Sequence, residues 1–287
     1  MPAPFQPDPP RGAMHVGRLT PADLPGLRAL LAQDPVMNLF LLAMLDAVSV
    51  DQVGWYGVRA DGGLRAACLV RETTLAVPWA PEPAHAAALG ASLRVLPAPR
   101  IVVGPRADVD NLWAAWRPEA EVTRRHDQHM YVCDTRGDAP PPPGFRLARP
   151  AEWPAITALS AAMEAEDTGR HPLLEDADAF VETIRSRIAR EATWVIDRGA
   201  GVQFVLHAGT RNALGAQIGG TFVPPAARRQ GLATAGVRAT TAALLRDVPV
   251  VTLHVDERNT PAVRTYQSAN YRAYAPMRLL VTAPRSG

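Results

Sequence analysis

The sequence predicts an α/β (α+β) protein made of two tandem domains, each a mixed, mostly antiparallel sheet flanked by helices. Three observations carry that prediction. The chain has 287 residues, of which 47% are hydrophobic, which is too long for one ordinary domain and ample for two cores. One segment, DTRGDAPPPPG at residues 134–144, contains four consecutive prolines, which neither join a ladder nor continue a helix and favour an extended spacer. The stretches on either side of it begin alike: Pro21, Ala22, Pro25, Ala29, Leu30 and Ala32 recur at one constant offset as Pro150, Ala151, Pro154, Ala158, Leu159 and Ala161, with Asp23 matched by Glu152 and Leu27 by Ile156. An internal repeat is the economical explanation. The expected division is a Pro-rich mobile tail at 1–13, a first domain at 14–133, a linker at 134–144 and a second domain at 145–287.

Within the second half a short strand opens at Phe145, a helix at Glu152 and another over Asp176 to Glu191. Strands follow near Thr193–Ile196, Gln203–His207 and Ala216–Val223, then a helix of small residues, a strand near Val250, a short helix and a final pair of strands over Tyr271–Thr282. In both halves a Trp opens two strands around a Gly-containing turn, from Trp55 and from Trp194. Alternating strands and helices of this kind make a mixed α/β sandwich.

Composition excludes several functions. The formal net charge of +2 is nearly balanced and the basic residues form no run, which argues against nucleic acid as a partner. There is no Lys, so all 30 basic residues are Arg, and neither a Schiff-base Lys nor a Walker-type phosphate loop is available. Cys68 and Cys133 sit in apolar stretches at no metal or redox spacing and read as buried, reduced thiols; no metal site is expected. The longest apolar run, around Leu39 to Leu45, is far short of the ~20 residues of a membrane span, and no apolar leader opens the chain. A soluble, cytoplasmic protein without a membrane partner is the expectation.

The most informative segment is residues 216–245. The apolar run ends at Phe222 and Val223, Pro224 and Pro225 prevent the strand from continuing, and Gly231 sits where the backbone must turn to open a helix. At a helix start the first amide N–H groups lack partners and the macrodipole adds positive potential, so a pyrophosphate satisfies both. Arg228, Arg229, Gln230, Gly231, Leu232, Ala233 and Thr234 form this loop and first turn. The spacing of Arg228, Gly231 and Ala233 resembles the coenzyme A signature R/Q-x-x-G-x-G/A of the GCN5-related N-acetyltransferases, or GNAT enzymes. The next stretch is similar to the second half of that family's core: Leu253 and Val255 on a strand, then Asn259, Ala262, a helical Tyr266 and the aromatic Tyr271. Thr260 is expected as an N-cap and Pro261 as the first helical residue.

The resemblance implies an acetyl-CoA-dependent N-acetyltransferase that transfers an acetyl group to a primary amine of a small molecule or peptide. It implies two neighbouring parallel strands that splay apart, with acetyl-CoA lying against Phe222 and Val223, its diphosphate on residues 228–234, and Asn259 nearby. Tyr266 is the expected proton donor to the leaving thiolate. For the base, many members of the family place a Glu on the strand that here carries Gln217 to Val223, and this sequence has none there. Glu164, Glu166 and Asp167, read as lying between the first two helices, and His254 are the candidates. The first half offers Asp108 and Asp110 after RIVVGP, where carboxylates would repel a pyrophosphate, and reads as a degenerate copy. A non-catalytic acyl-CoA-binding sensor or interaction module is the alternative, and acceptor and oligomeric state are open.

Overall fold

A computed structural model describes residues 14–283 apart from positions 51, 118, 120, 170 and 200; the expected tail at 1–13 lies outside the described residues. Along the chain the elements are β1 (His15–Arg18), α1 (Leu24–Leu31), α2 (Leu39–Ala47), β2 (Gly54–Ala60), β3 (Gly63–Arg71), β4 (Leu75–Trp79), α3 (Pro83–Ser92), β5 (Ile101–Pro105), α4 (Arg106–Trp116) and β6 (Val122–Cys133). There follow β7 (Phe145–Leu147), α5 (Trp153–Thr168), α6 (Pro172–Glu175), α7 (Ala177–Ala189), β8 (Thr193–Asp197), β9 (Val202–Asn212) and β10 (Gly215–Phe222). Then come α8 (Leu232–Leu244), β11 (Val251–Asp256), α9 (Thr260–Ser268) and β12 (Arg272–Thr282).

Two compact units result, one comprising the chain up to His126 together with the segment from Met277 onward, the other Asp127–Pro276. The chain changes unit inside β6 and returns inside β12; the Pro-rich stretch 134–144 falls within the second unit. In the first unit the strand order is β1-β2-β3-β4-β5-β12, and in the second β7-β8-β9-β10-β11-β6. Each sequence of pairings is the same: three antiparallel contacts, one parallel, one antiparallel.

The repeat read in the sequence is therefore a repeat of topology, and its first turns agree in detail. Pro21–Asp23 and Pro150–Glu152 each form one 3₁₀ turn. Asp23 Oδ2 accepts the Thr20 N–H at 2.8 Å and Glu152 Oε2 the Arg149 N–H at 2.7 Å, so each turn is closed by its own third residue. An Arg from the neighbouring strand pairs with that carboxylate in both copies, Arg59 with Asp23 and Arg146 with Glu152. Leu27 and Ile156, matched in the sequence, are both fully buried.

Helices cover both faces of each sheet, as strand alternation requires when both faces are apolar. In the second unit Ile156, Ile184, Ile188, Val195, Val205 and Phe222 pack α5 and α7 on one face. Phe204, Leu206, Ile218, Leu232, Val237, Leu253, Val255 and Tyr266 pack α8 and α9 on the other. Gly236 lets α8 lie on β9: a Cβ there would stand 2.4 Å from the Phe204 ring. Cys68 and Cys133 are buried and free, as expected. No helix among the described residues is long and apolar enough to cross a membrane.

Three local expectations change. The stretch from Tyr271 to Thr282 is one strand, not two: β12 runs without a turn, and its residues Met277 to Val281 pair with β5 in the first unit. The antiparallel neighbour of β11 is instead β6, which precedes the linker in the chain. Second, the first-unit counterpart of the 223–231 loop is not the segment after RIVVGP. By its place in the sheet β4 corresponds to β10, so the matching connection is Ala80–Glu82, which enters α3 with no Arg and no Gly. Third, Asn259, not Thr260, caps α9, its Oδ1 accepting the Ala262 N–H at 3.2 Å; Thr260 is the first helical residue and Pro261 the second.

Candidate active site

The site is built where β10 and β11 part. These parallel strands pair only at Ala216↔Val251 and Gln217↔Thr252. Further along, β10 bulges between Gly219 and Phe222, three residues spanning what two cover on β9. Gly220 makes the bulge possible: its φ is +62°, and a Cβ would meet His207 Cδ2 at 2.7 Å. Pro224 and Pro225 then end the strand, and a 3₁₀ turn over Pro225–Ala227 leads to Arg229 and Gly231, both at positive φ (+61° and +75°).

Gly231 occupies the N-cap of α8 and carries no side chain to cap it. Two loop bonds, Ala227 N–H to Pro224 O at 2.8 Å and Arg228 N–H to Pro225 O at 3.3 Å, precede it, and the Ala235 N–H reaches Gly231 O at 3.0 Å. Between them, the N–H groups of residues 229–234 donate to no group among the described residues. Leu232, 1% exposed, anchors the first turn, while the space a Gly231 side chain would take is open to 4 Å. Six unfilled donors at the positive end of a helix form an arrangement suited to an anion with several oxygens.

Beside this loop lies a cavity of about 380 Å³, bounded by α5, the end of β10, the start of α8 and α9. Met163, Glu166, Asp167, Thr221, Phe222, Val223, Arg228, Ala233, Asn259 and Tyr266 line it. Tyr266 lies in the second turn of α9, 8% exposed, packed edge-on against Tyr271 with ring centroids 6.0 Å apart. Burial raises its pKa above the usual phenol value; Thr221 opposes this and the charge of Asp167 reinforces it. Thr221 lines the same cavity, and its Oγ1, shut from solvent, has no hydrogen-bond partner among the described residues.

Arg228 does not stand free as a counter-charge. Its Nη2 lies 2.8 Å from both oxygens of Glu166, its Nε donates to Val223 O at 2.9 Å, and its guanidinium carbon sits 5.4 Å over the Phe222 ring. It ties the loop to α5. Arg229 and Gln230 are exposed. The acidic residues Glu164, Glu166 and Asp167 fall in the last turns of α5, not between helices, because no breaker precedes Gly169, whose left-handed φ of 72° ends the helix. Glu166 and Asp167 reach the cavity with Tyr266; Glu164 is half-buried and acts on Arg187 of α7.

His254 does not line the cavity. Leu253 and Val255 belong to the core around Tyr266, so by strand alternation the imidazole projects from the other face of β11, and burial lowers its pKa to about 4. Spacing in the sequence left its direction open. Another imidazole, His207 on β9, is buried, and nothing in its sequence spacing marks it. It lies between Ser160 Oγ (3.1 Å from Nε2) and Thr193 Oγ1 (3.0 Å from Nδ1), under the Gly220 bulge. Burial first, and then the charge of Arg187, lower its pKa to about 3.

Both histidines fold in the neutral form. Unfolded, they take up protons as pH falls through about 6.5, whereas the folded protein resists until far lower, so stability declines as pH drops from about 6.5 towards about 4. For His207 alone the loss by about pH 5 is on the order of 2 kcal/mol. Urea midpoints measured from pH 7 to pH 5 are expected to fall, and to fall less in a His207→Gln variant; parallel slopes would contradict a neutral buried imidazole.

The corresponding place in the first unit is closed. Strands β4 and β5 likewise pair at two positions and part. There the N–H of Ala80, the first residue after β4, donates to Asp108 Oδ2 of α4 at 2.6 Å. Asp108 is 5% exposed, and burial lifts its pKa to about 6. A resident carboxylate thus occupies the amide that follows the splayed strand. Among the described residues no group of three or more His, Cys, Asp or Glu could hold a metal ion.

A split sheet, an open helix N-terminus and a cavity at the split come together in the second unit, on an α/β fold of acetyltransferase type that both halves share. Residues 144–271 match the family model described as the acetyltransferase (GNAT) family. Solved structures with the same fold include a tandem GNAT protein from the clavulanic acid biosynthesis pathway (TM-score 0.55, 16% identity, covering 96% of this chain and 100% of that one). A GCN5-related N-acetyltransferase from Sphaerobacter thermophilus (0.60, 17%, 93% and 94%) and a Drosophila protein (0.68, 12%, 94% and 99%) are also similar. A comparison with curated proteins returned no match.

Proposed function

We propose that this protein is an acetyl-CoA-dependent N-acetyltransferase that acetylates a primary amine of a small molecule or peptide by direct attack on the thioester. The observation that carries the reading is the set of unfilled N–H groups at 229–234, opening beside the cavity that holds Tyr266. The diphosphate takes those donors. The pantetheine arm lies along the parted edge of β10, with Phe222, Val223, Ala233 and Asn259 around it, and the N–H of Val223 meets the thioester oxygen as charge develops on it. An amine entering beside α5 attacks the carbonyl carbon, and the C–S bond breaks. Tyr266 gives its proton to the departing thiolate. Arg228 holds Val223 and α5 in register from the side.

Isothermal titration with acetyl-CoA and with coenzyme A tests the donor half of this reading. Both are expected to bind in the micromolar range, and an Ala233→Asp variant, placing a carboxylate in the first turn of α8, is expected to weaken both by tenfold or more. No heat at millimolar ligand would defeat the assignment. Release of free thiol on adding amine tests the transfer half.

A further inference from the structure

We propose that His207 is a positioning residue for the transfer: its imidazole is the seat on which the Gly220 bulge of β10 rests, and the bulge aims the N–H of Val223 at the thioester oxygen. The inference rests on the acetyltransferase reading above and deepens it by naming what keeps the thioester end of the site in shape.

The ring is fixed from two elements. Ser160 Oγ of α5 lies 3.1 Å from Nε2 and Thr193 Oγ1 of β8 lies 3.0 Å from Nδ1, so neither a ring flip nor a change of rotamer keeps both contacts. All three side chains are at most 3% exposed. The edge of the ring is turned to β10: a Cβ built on Gly220 would meet His207 Cδ2 at 2.7 Å, and the three atoms nearest to it all belong to His207.

A bulge leaves one residue without its ladder partner and persists only where its surroundings fix it. This one lies between Gly219, which pairs with His207 itself, and Phe222, which pairs with Val205. The imidazole therefore stands at the register position where the extra residue enters, under the left-handed turn of Gly220. Phe222 and Val223, next along the chain, line the cavity that holds Tyr266.

The first unit supplies the contrast. Trp55 pairs with Leu69 as Trp194 pairs with Leu206, so Gly54 corresponds to Thr193 and Val70 to His207. The constant offset of the repeat matches Leu31 with Ser160. None of the three polar side chains is repeated, and there β3 and β4 pair from Ala67↔Trp79 to Arg71↔Leu75 with no register shift. The imidazole, both hydroxyls and the bulge occur together in one copy and are replaced together in the other. Apolar side chains of similar size stabilise a core as well as a buried polar trio does. Its presence beside the bulge alone assigns it to the shape of the strand.

The test uses the full chain. The variant Ser160→Ala/Thr193→Val/His207→Leu removes all three partners at once, so none is left buried and unpaired. Thr193→Val alone takes its place if the triple variant does not fold, and His207→Gln, which keeps a donor and an acceptor, is the conservative change. Each is given acetyl-CoA labelled isotopically at the carbonyl carbon, and infrared spectroscopy reads the carbonyl stretch, which falls when the oxygen accepts a hydrogen bond. Wild type is expected to lower the stretch relative to free acetyl-CoA. The triple variant and Thr193→Val are expected to lose much of that shift, and His207→Gln to retain more of it than the triple variant. With propylamine as acceptor, kcat in the triple variant is expected to fall about tenfold or more, the loss that follows from a misplaced oxyanion donor. Affinity for coenzyme A, which lacks the carbonyl, is expected to stay within about threefold by calorimetry, because the amides at 229–234 lie outside the bulge. An unshifted carbonyl in wild type, a full shift in the folded variants, or a parallel collapse of coenzyme A affinity overturns the proposal.

A second readout needs no ligand. Amide hydrogen exchange over residues 218–223 is expected to quicken by about threefold or more in the variants while that of α8 stays unchanged. Equal change in both segments, or none in either, also overturns it. Absence of acetyl-CoA binding by wild type would instead remove the acetyltransferase reading, and the exchange result would still judge the hold on the bulge.

Discussion

Tyr266→Phe is expected to lower the rate of thiol release at least tenfold, within the 10²–10⁴-fold range that positioned proton donors contribute, while acetyl-CoA affinity changes by no more than about twofold. The substitution removes one oxygen and keeps the ring, so the edge-on packing against Tyr271 and the core around Leu253 and Val255 persist. Stability is expected to fall by no more than about 1 kcal/mol, the worth of one hydroxyl contact. The phenol is suited to give rather than to take a proton: burial and the charge of Asp167 raise its pKa, so it is fully protonated at neutral pH. Against a thiolate, whose reference pKa lies below that of a phenol, the transfer is uphill. That deficit is modest beside a chemical barrier, and transfer concerted with C–S cleavage offsets it. Thiol release that is unchanged in Tyr266→Phe, with acetyl-CoA still bound, would favour a protein that binds the thioester without turning it over.

The parts of this site legible in the sequence are those fixed by local chemistry. Two prolines and a glycine at 224, 225 and 231 can end one strand and open one helix in few ways, and the structure puts a strand end, a 3₁₀ turn and a left-handed N-cap there. The repeated Pro-Ala turn likewise carries its own closing carboxylate, Asp23 or Glu152, within three residues. What could not be read is what depends on distant pairing. Nothing local tells Arg272–Thr282 that it is one strand, because the partner that keeps its second half extended is β5, more than a hundred residues earlier. Arg228 reads as a phosphate ligand from its neighbours in sequence; its partner Glu166 lies 62 positions away, and only the fold brings them to 2.8 Å. The direction of His254 failed to resolve for a related reason: both faces of β11 are covered, so alternation alone does not say which one meets the cavity. The first unit shows the same limit. In the sequence Asp108 reads as an acidic residue near a loop, whereas its consequence is the bond it accepts from the Ala80 N–H.

Gly236→Ala should be among the most destabilising single-methyl additions in the second unit, although Ala is the better helix former by about 1 kcal/mol. The new Cβ would stand 2.4 Å, 2.6 Å and 2.6 Å from three atoms of the Phe204 ring. That ring is fully buried between β9 and α8 and cannot swing into solvent. Relief requires α8 to retreat from the sheet or the ring to leave its rotamer, and overpacking of this kind costs about 1–3 kcal/mol. A shift of α8 also moves its first turn, so the amides at 229–234 and the wall formed by Ala233 turn away from the cavity. The expectation is a lowered urea midpoint together with acetyl-CoA affinity reduced several-fold. Phe204→Leu in the same chain removes the atoms in conflict and should restore most of both, whereas Phe204→Leu alone opens a cavity and destabilises. Thermal and urea unfolding of the two single variants and the double variant, read as a mutant cycle, measure the coupling directly. If the effects of the two substitutions simply add, the small residues along α8 serve helix propensity alone, and the close seat of the helix on β9 is not what aims its open end.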